Sequence, residues 1–162
     1  MIETGAMLPE GSLMEMTADG PAQVTVAELF GGKTVALFGV PGAFTPTCNN
    51  AHVPSYVAQM DALKAKGVDA VACLSVNDPF VMGAWGESTG AAAAGIRMLG
   101  DPSGAFVKAL GLDFSADVVG LIGRSKRFAA LVKDGAVAWI AVEDNPGQAE
   151  VTTADAMIAA MG

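Results

Sequence analysis

Apolar residues fall along this chain in two rhythms. Thr34-Val35-Ala36-Leu37-Phe38-Gly39-Val40 and Ala70-Val71-Ala72-Cys73-Leu74-Ser75-Val76 are short runs without polar alternation, the pattern of strands buried on both faces. Between them Val53, Tyr56, Val57, Met60 and Leu63 recur at helical spacing, closed by Lys64, Lys66 and Gly67. Pro54 lies inside that helix and predicts a kink, because it removes the bond to the Asn50 carbonyl. Leu13 to Met16 and Gln23 to Val26 read as short strands around the turn Ala18-Asp19-Gly20-Pro21, followed by one helical turn over Val26 to Phe30. Asn77-Asp78-Pro79 starts a helix through Trp85, Ile96 to Leu99 reads as a strand, and Gly104 to Leu110 as a helix. Phe128 to Val132 and Ala136 to Val142 are strands joined at Asp134-Gly135, a hairpin signal. A last helix, capped by Thr152 or Thr153, covers Ala154 to Met161.

This order predicts an α/β domain spanning residues 1–162. It has an N-terminal β extension, a mostly parallel central sheet, and a C-terminal hairpin and helix, a thioredoxin-like arrangement. Composition narrows the partners. A net charge of −8, from 17 acidic and 9 basic residues, disfavours nucleic acid and anionic membrane. No apolar stretch approaches the roughly 20 residues of a membrane span. The start Met1-Ile2-Glu3-Thr4-Gly5 carries no basic leader, so the cytoplasm is the expected compartment.

Cys48 and Cys73 are too few for a disulfide framework, and with His52 they fall one ligand short of a closed zinc site. No metal is expected. Cys48 ends Pro41-Gly42-Ala43-Phe44-Thr45-Pro46-Thr47-Cys48, where a buried strand turns into a helix. With Thr45 as N-cap and Pro46 at the first helical position, Cys48 falls among N–H groups that lack intrahelical partners. These donors and the helix dipole favour a thiolate. His52, four positions on, shares its helix face and either tunes the thiolate or satisfies polar groups nearby. A Cys–His hydrolase lacks a third orienting group here. The nine methionines are scattered and read as core filler.

The segment Gly39 to Cys48 resembles the peroxiredoxins, within them the type II (type 5) group. So do His52-Val53-Pro54, Cys73 to Val81, Asp101-Pro102-Ser103-Gly104-Ala105-Phe106 and Lys126-Arg127-Phe128. The resemblance runs from about residue 3 to the C-terminus. It implies a thiol peroxidase that needs no cofactor and acts on hydrogen peroxide and alkyl hydroperoxides. Cys48 is then the peroxidatic cysteine, sulfenylated in turnover, with Thr45, Pro41 and Arg127 as its partners. Thr45, the Thr47 and Cys48 backbone N–H groups and Arg127 can steady the charge that develops on the departing oxygen. Pro41 shields the sulfur from over-oxidation, and Arg124 is the competing arginine.

Some relatives carry a cysteine at the position of Cys73 that has been proposed as resolving, but a buried mid-strand position reads as core. Others carry one near the C-terminus, where Gln148 to Thr153 has none. The expected reductant is therefore an external thiol, glutathione with glutaredoxin. Two alternatives stand beside it: a Cys48–Cys73 cycle reduced by thioredoxin, and a non-enzymatic redox sensor or holdase. Phe80, Val81, Met82 and Trp85 are too apolar for full exposure; the resemblance implies that this region contributes to a homodimer interface, and burial within the monomer is the alternative.

Overall fold

The structure, a computed structural model, describes residues 1–162. Its centre is a seven-stranded sheet of order β2-β1-β5-β4-β3-β8-β9. These strands are β1 (Ser12–Thr17), β2 (Gly20–Thr25), β3 (Thr34–Val40), β4 (Ala70–Ser75), β5 (Arg97–Gly100), β8 (Phe128–Lys133) and β9 (Ala136–Val142). The β3–β4 and β4–β5 pairs are parallel. The N-terminal hairpin β1–β2 joins β5, and the C-terminal hairpin β8–β9 joins β3, both antiparallel. The parallel core is as expected, but antiparallel additions on each side make the whole sheet mixed. Asp134 and Gly135 turn the C-terminal hairpin with φ of 47° and 78°, the left-handed pair that matches strand twist.

Both faces of β3 and β4 are covered, which accounts for their unbroken apolar runs. One face carries Ala36, Phe38, Val40 and Cys73 against α2 (Val53–Ala58), α3 (Met60–Ala65), α4 (Pro79–Thr89) and α7 (Ala154–Met161). The other carries Val35, Leu37, Ala72 and Leu74 against α1 (Val26–Phe30) and α6 (Ala105–Ala109). Helix starts follow their local chemistry: Thr25 and Glu28 form a reciprocal capping box on α1, Asp78 accepts from Val81 N on α4, and Thr153 accepts from Ala156 N on α7.

The single kinked helix expected after Cys48 is instead a π-helical turn, Cys48–His52, followed by α2 and α3 with a break at Gln59. Val53 N bonds back to Cys48 O across this wider turn, and Pro54 sits in the first turn of α2, where its missing N–H costs little. Two features escaped the sequence pattern: the short α5 (Ala91–Ala94) and a separate two-stranded ribbon, β6 (Asp113–Ala116) with β7 (Leu121–Ser125). The ribbon is short, bulged between Phe114 and Ala116, and interrupted by Gly123, so it carries too little period-2 alternation to be recognised.

Of Phe80, Val81, Met82 and Trp85, two are core: Met82 and Trp85 are buried, while Phe80 is 64% exposed. Cys73 is also core. It is fully buried on β4, between Phe38 of β3 and Met98 of β5.

The register between β3 and β8 depends on one missing methyl. Gly39 lies opposite Phe128, and a Cβ on residue 39 would sit 2.0 Å from Phe128 Cε1. The Phe128 ring therefore lies against the bare backbone of β3, and Arg127 is carried to the end of that strand. Gly39→Ala should lower stability by about 1–3 kcal/mol through overpacking and displace Arg127. Urea unfolding checks the first effect; a transition at the wild-type midpoint would contradict this packing.

Candidate active site

At the C-terminal edge of β3 the chain leaves the sheet through Pro41 and Gly42, passes Phe44 in a left-handed conformation (φ 64°), and enters the helix holding Cys48. The bond from Asn49 N to Thr45 O, 2.9 Å, puts the helix start at Thr45 as expected. The Thr45 side chain, however, does not cap a backbone N–H. Its hydroxyl lies 2.7 Å from Gly42 O and 2.8 Å from Cys48 Sγ, with one proton to share between them. Helix-cap chemistry is thus replaced by contact with the sulfur.

Arg127 arrives from the start of β8, 79 positions along the chain, and donates from Nη2 to Cys48 Sγ at 3.2 Å. Its other donors are also fixed: Nε to Pro146 O at 3.1 Å and Nη1 to His52 Nδ1 at 3.0 Å. Arg127 is 1% exposed and Cys48 fully buried. The only salt bridge in the molecule joins Arg97 to Glu15, far from this site. A guanidinium does not deprotonate, and a buried charge without a counter-charge is costly. The atom placed against this charge is Cys48 Sγ. Arg124, the competing arginine, lies outside, with Nη1 reaching Pro41 O only at 3.5 Å.

His52 is the residue whose role the sequence left open. Its Nε2 lies 2.9 Å from Thr152 O; a carbonyl only accepts, so Nε2 carries the proton and Nδ1 is free to accept from Arg127. Burial, reinforced by the Arg127 charge, lowers its pKa from 6.5 to about 3. Neutral His52 therefore orients the guanidinium and does not compete with it as a cation. Beneath it, Phe38 stacks on Tyr56 with ring centroids 4.0 Å apart, and Tyr56 OH donates to the same Thr152 carbonyl. Burial pushes the Cys73 thiol well above its ordinary range, and the charge at Cys48 adds to this. Both cysteines are free.

A cavity of about 270 Å³ is edged by Thr45 and Arg127, the two residues whose side chains touch the sulfur, while Cys48 itself is fully buried and does not line it. Pro41 and Pro46 line it from the Cys48 loop, and Phe114, Val119 and Leu121 line it from the β6–β7 ribbon and its connecting turn. Thr47 also borders it. Its N–H is among the first of the helix, which lack intrahelical acceptors, and its hydroxyl donates to Gly147 O at 2.8 Å. The site thus combines a buried sulfur, a hydroxyl, a guanidinium and a mostly apolar cavity beside the last two. It can attack a small electrophile and stabilise an anionic leaving oxygen.

His52 is the only histidine in the chain, so its ring can be followed without assignment. Its nitrogen resonances should show the Nε2–H tautomer and no protonation as pH falls from 7 to 4. A midpoint near 6.5 would show that the ring is not held as described. The depressed pKa also sets a stability trend. The unfolded chain takes up a proton near pH 6.5 that the folded one refuses until about 3. Stability from this group is complete above pH 6.5 and falls by up to roughly 1.4 kcal/mol per pH unit below it.

Comparison with known proteins agrees with this geometry. The Redoxin family model matches residues 3–158. The chain is 44% identical over 99% of its length to peroxiredoxin-2E-2, chloroplastic, of Oryza sativa subsp. japonica, covering 72% of that protein. It is 45% identical over 82% of its length to peroxiredoxin-2F, mitochondrial, of Arabidopsis thaliana, covering 66% of that protein. Reduced Prx3 of Vibrio vulnificus in complex with H2O2 superposes with a TM-score of 0.92 at 47% identity, over 100% of both chains. The first two relatives are named as chloroplastic and mitochondrial proteins, which corrects the cytoplasmic expectation. On sequence and fold alike, the chain belongs to the peroxiredoxin family, in its type II (type 5) group, and is a thiol peroxidase.

Proposed function

We propose that Cys48 is the peroxidatic nucleophile, with Thr45 and Arg127 as the groups that activate it and its substrate. The observation that carries this reading is the buried Arg127 guanidinium with Cys48 Sγ at 3.2 Å as its only available counter-charge. The thiolate attacks the terminal oxygen of a hydroperoxide. An S–O bond forms, the O–O bond breaks, and the departing oxygen leaves as alkoxide or hydroxide, which takes a proton to give alcohol or water. Cys48 becomes a sulfenic acid. Thr45 Oγ1–H and the N–H groups of Arg127 are rigidly placed donors for the charge that moves onto the departing oxygen. Pro41 contributes an apolar wall that limits access to the sulfur.

The mostly apolar entrance formed with the β6–β7 ribbon supports organic hydroperoxides as substrates alongside hydrogen peroxide. An external thiol then condenses with the sulfenic acid, releasing water and forming a mixed disulfide. A second thiol cleaves it and restores Cys48. Glutathione with glutaredoxin is the favoured source. Cys73 sits on a central strand bonded on both sides, and bringing its sulfur to Cys48 would break those ladders. Exposed Phe44 and Phe80, 53% and 64% accessible, support a homodimer formed through this end of the molecule.

Cys48→Ser should abolish peroxide turnover in a folded protein; retained turnover would end its assignment as nucleophile. Thr45→Val should slow the peroxide step about 10²-fold or more, as expected for loss of an oriented donor in a desolvated site. A rate within about twofold of wild type at equal folded fraction would remove the hydroxyl from the chemistry. After one equivalent of peroxide, intact mass should rise by one oxygen. A loss of two hydrogens, abolished by Cys73→Ala, would instead establish the internal disulfide and thioredoxin-type reduction.

A further inference from the structure

Arg127 and His52 are fixed by carbonyl groups of the segment between β9 and α7, which has no regular structure of its own. Pro146 O accepts from Arg127 Nε, and Thr152 O accepts from His52 Nε2 and Tyr56 OH. Thr47 Oγ1 holds its middle at Gly147 O, and one carboxylate oxygen at its root gathers the stretch that carries the Thr152 carbonyl. Glu143 Oε1 accepts from Glu150 N at 2.6 Å, Val151 N at 2.8 Å, Thr152 N at 3.1 Å and Thr152 Oγ1 at 2.9 Å. Three consecutive N–H groups converging on an anion form a backbone nest. Glu143 N also donates to Arg127 O at 3.0 Å, so Glu143 touches the catalytic arginine's own backbone.

We propose that Glu143 is a positioning residue of the peroxide reaction. By gathering the Glu150–Thr152 N–H groups it aims the Thr152 carbonyl at His52, and so holds Arg127 on the Cys48 sulfur. The inference rests on Cys48 and Arg127 being the reacting pair. Its physical basis is the tautomer of His52. While Thr152 O accepts from Nε2–H, the Nδ1 lone pair faces Arg127 Nη1. If the carbonyl moves away, the Nε2 proton is left buried without an acceptor. The other tautomer then becomes competitive and sets an Nδ1–H against a guanidinium N–H. Two donors facing each other drive Arg127 off its place.

The second carboxylate oxygen, Oε2, has no hydrogen-bond partner among the contacts of this segment, so a glutamine can keep the oxygen that matters. Reduced Glu143→Ala should react with hydrogen peroxide about tenfold more slowly per folded molecule, the scale of a lost buried hydrogen-bond arrangement. Glu143→Gln should stay within about threefold of wild type. The nitrogen resonances of His52 should depart from the pure Nε2–H tautomer in Glu143→Ala alone. In an Arg127→Met background, Glu143→Ala should cost less than about a further twofold, because its route to the sulfur is gone.

A wild-type rate in Glu143→Ala, equal losses in the Ala and Gln variants, or multiplicative effects in the Arg127→Met cycle would each overturn the proposal. If Glu143→Ala does not fold, Thr152→Val removes one of the four donors; it should slow the reaction about threefold, again only when Arg127 is present. Cys48→Ser and Arg127→Met separate the two readings. If Cys48→Ser is inactive and Arg127→Met is slowed but measurable while Glu143→Ala is normal, only the positioning role fails; if Cys48→Ser turns over, the underlying site assignment fails as well.

Discussion

A guanidinium buried against a sulfur is the constraint around which the rest of this molecule is arranged. Arg127 cannot shed its charge and has no carboxylate partner, so the interior it enters must supply an anion or make the fold pay a desolvation penalty of several kcal/mol. Cys48 Sγ, 3.2 Å away, is the atom placed to supply it, and in the function we propose it does so as a thiolate. In that proposal the ionisation that makes the sulfur reactive also makes the arginine tolerable. Neutral His52 is the third member of this balance: as a second cation it would oppose Arg127, and burial together with that charge keeps it unprotonated.

Geometry at this depth is set by the sheet. The β3–β8 pairing lays Phe128 over Gly39, and one residue earlier the chain delivers Arg127 beside the strand end from which the Cys48 loop departs. The π turn at Cys48–His52 puts both side chains into the buried layer above Phe38 and Tyr56. The cavity edged by Thr45 and Arg127 draws on a different element. The β6–β7 ribbon stands apart from the main sheet and lines that cavity. The strands that place Arg127 and the residues that line the cavity from the ribbon side, Val119 and Leu121, therefore belong to separate pieces of the fold.

Much of this was legible in the residues. Uninterrupted apolar runs marked β3 and β4, Asp134-Gly135 marked the hairpin, and Thr45-Pro46 marked the start of the helix bearing Cys48. Arg127 was reachable only through the family resemblance, because no local pattern joins residues 79 positions apart. The Thr45 cap was misread because the capping pattern cannot distinguish a backbone N–H from a sulfur as the hydroxyl's partner. The π turn was missed because helical spacing of apolar residues is blind to one extra residue per turn. Glu143 gave no signal at all: an acidic residue after a strand reads as solvated, and its four donors come from a segment without periodicity. The β6–β7 ribbon is held by tertiary contact that its own sequence does not announce.

The charge balance between Arg127 and Cys48 is tested most directly by alkylation of the reduced protein with neutral iodoacetamide at pH 7, in a Cys73→Ala background so that one sulfur reports. Alkylation needs the thiolate but no help with a departing oxygen, so it separates ionisation of Cys48 from activation of peroxide. The account predicts that Arg127→Met slows alkylation at least about tenfold per folded molecule, with Arg127→Lys in between, because a point charge without the planar fork balances the sulfur less well. Alkylation at the wild-type rate in Arg127→Met would contradict it: the thiolate would then owe its existence to the helix start alone.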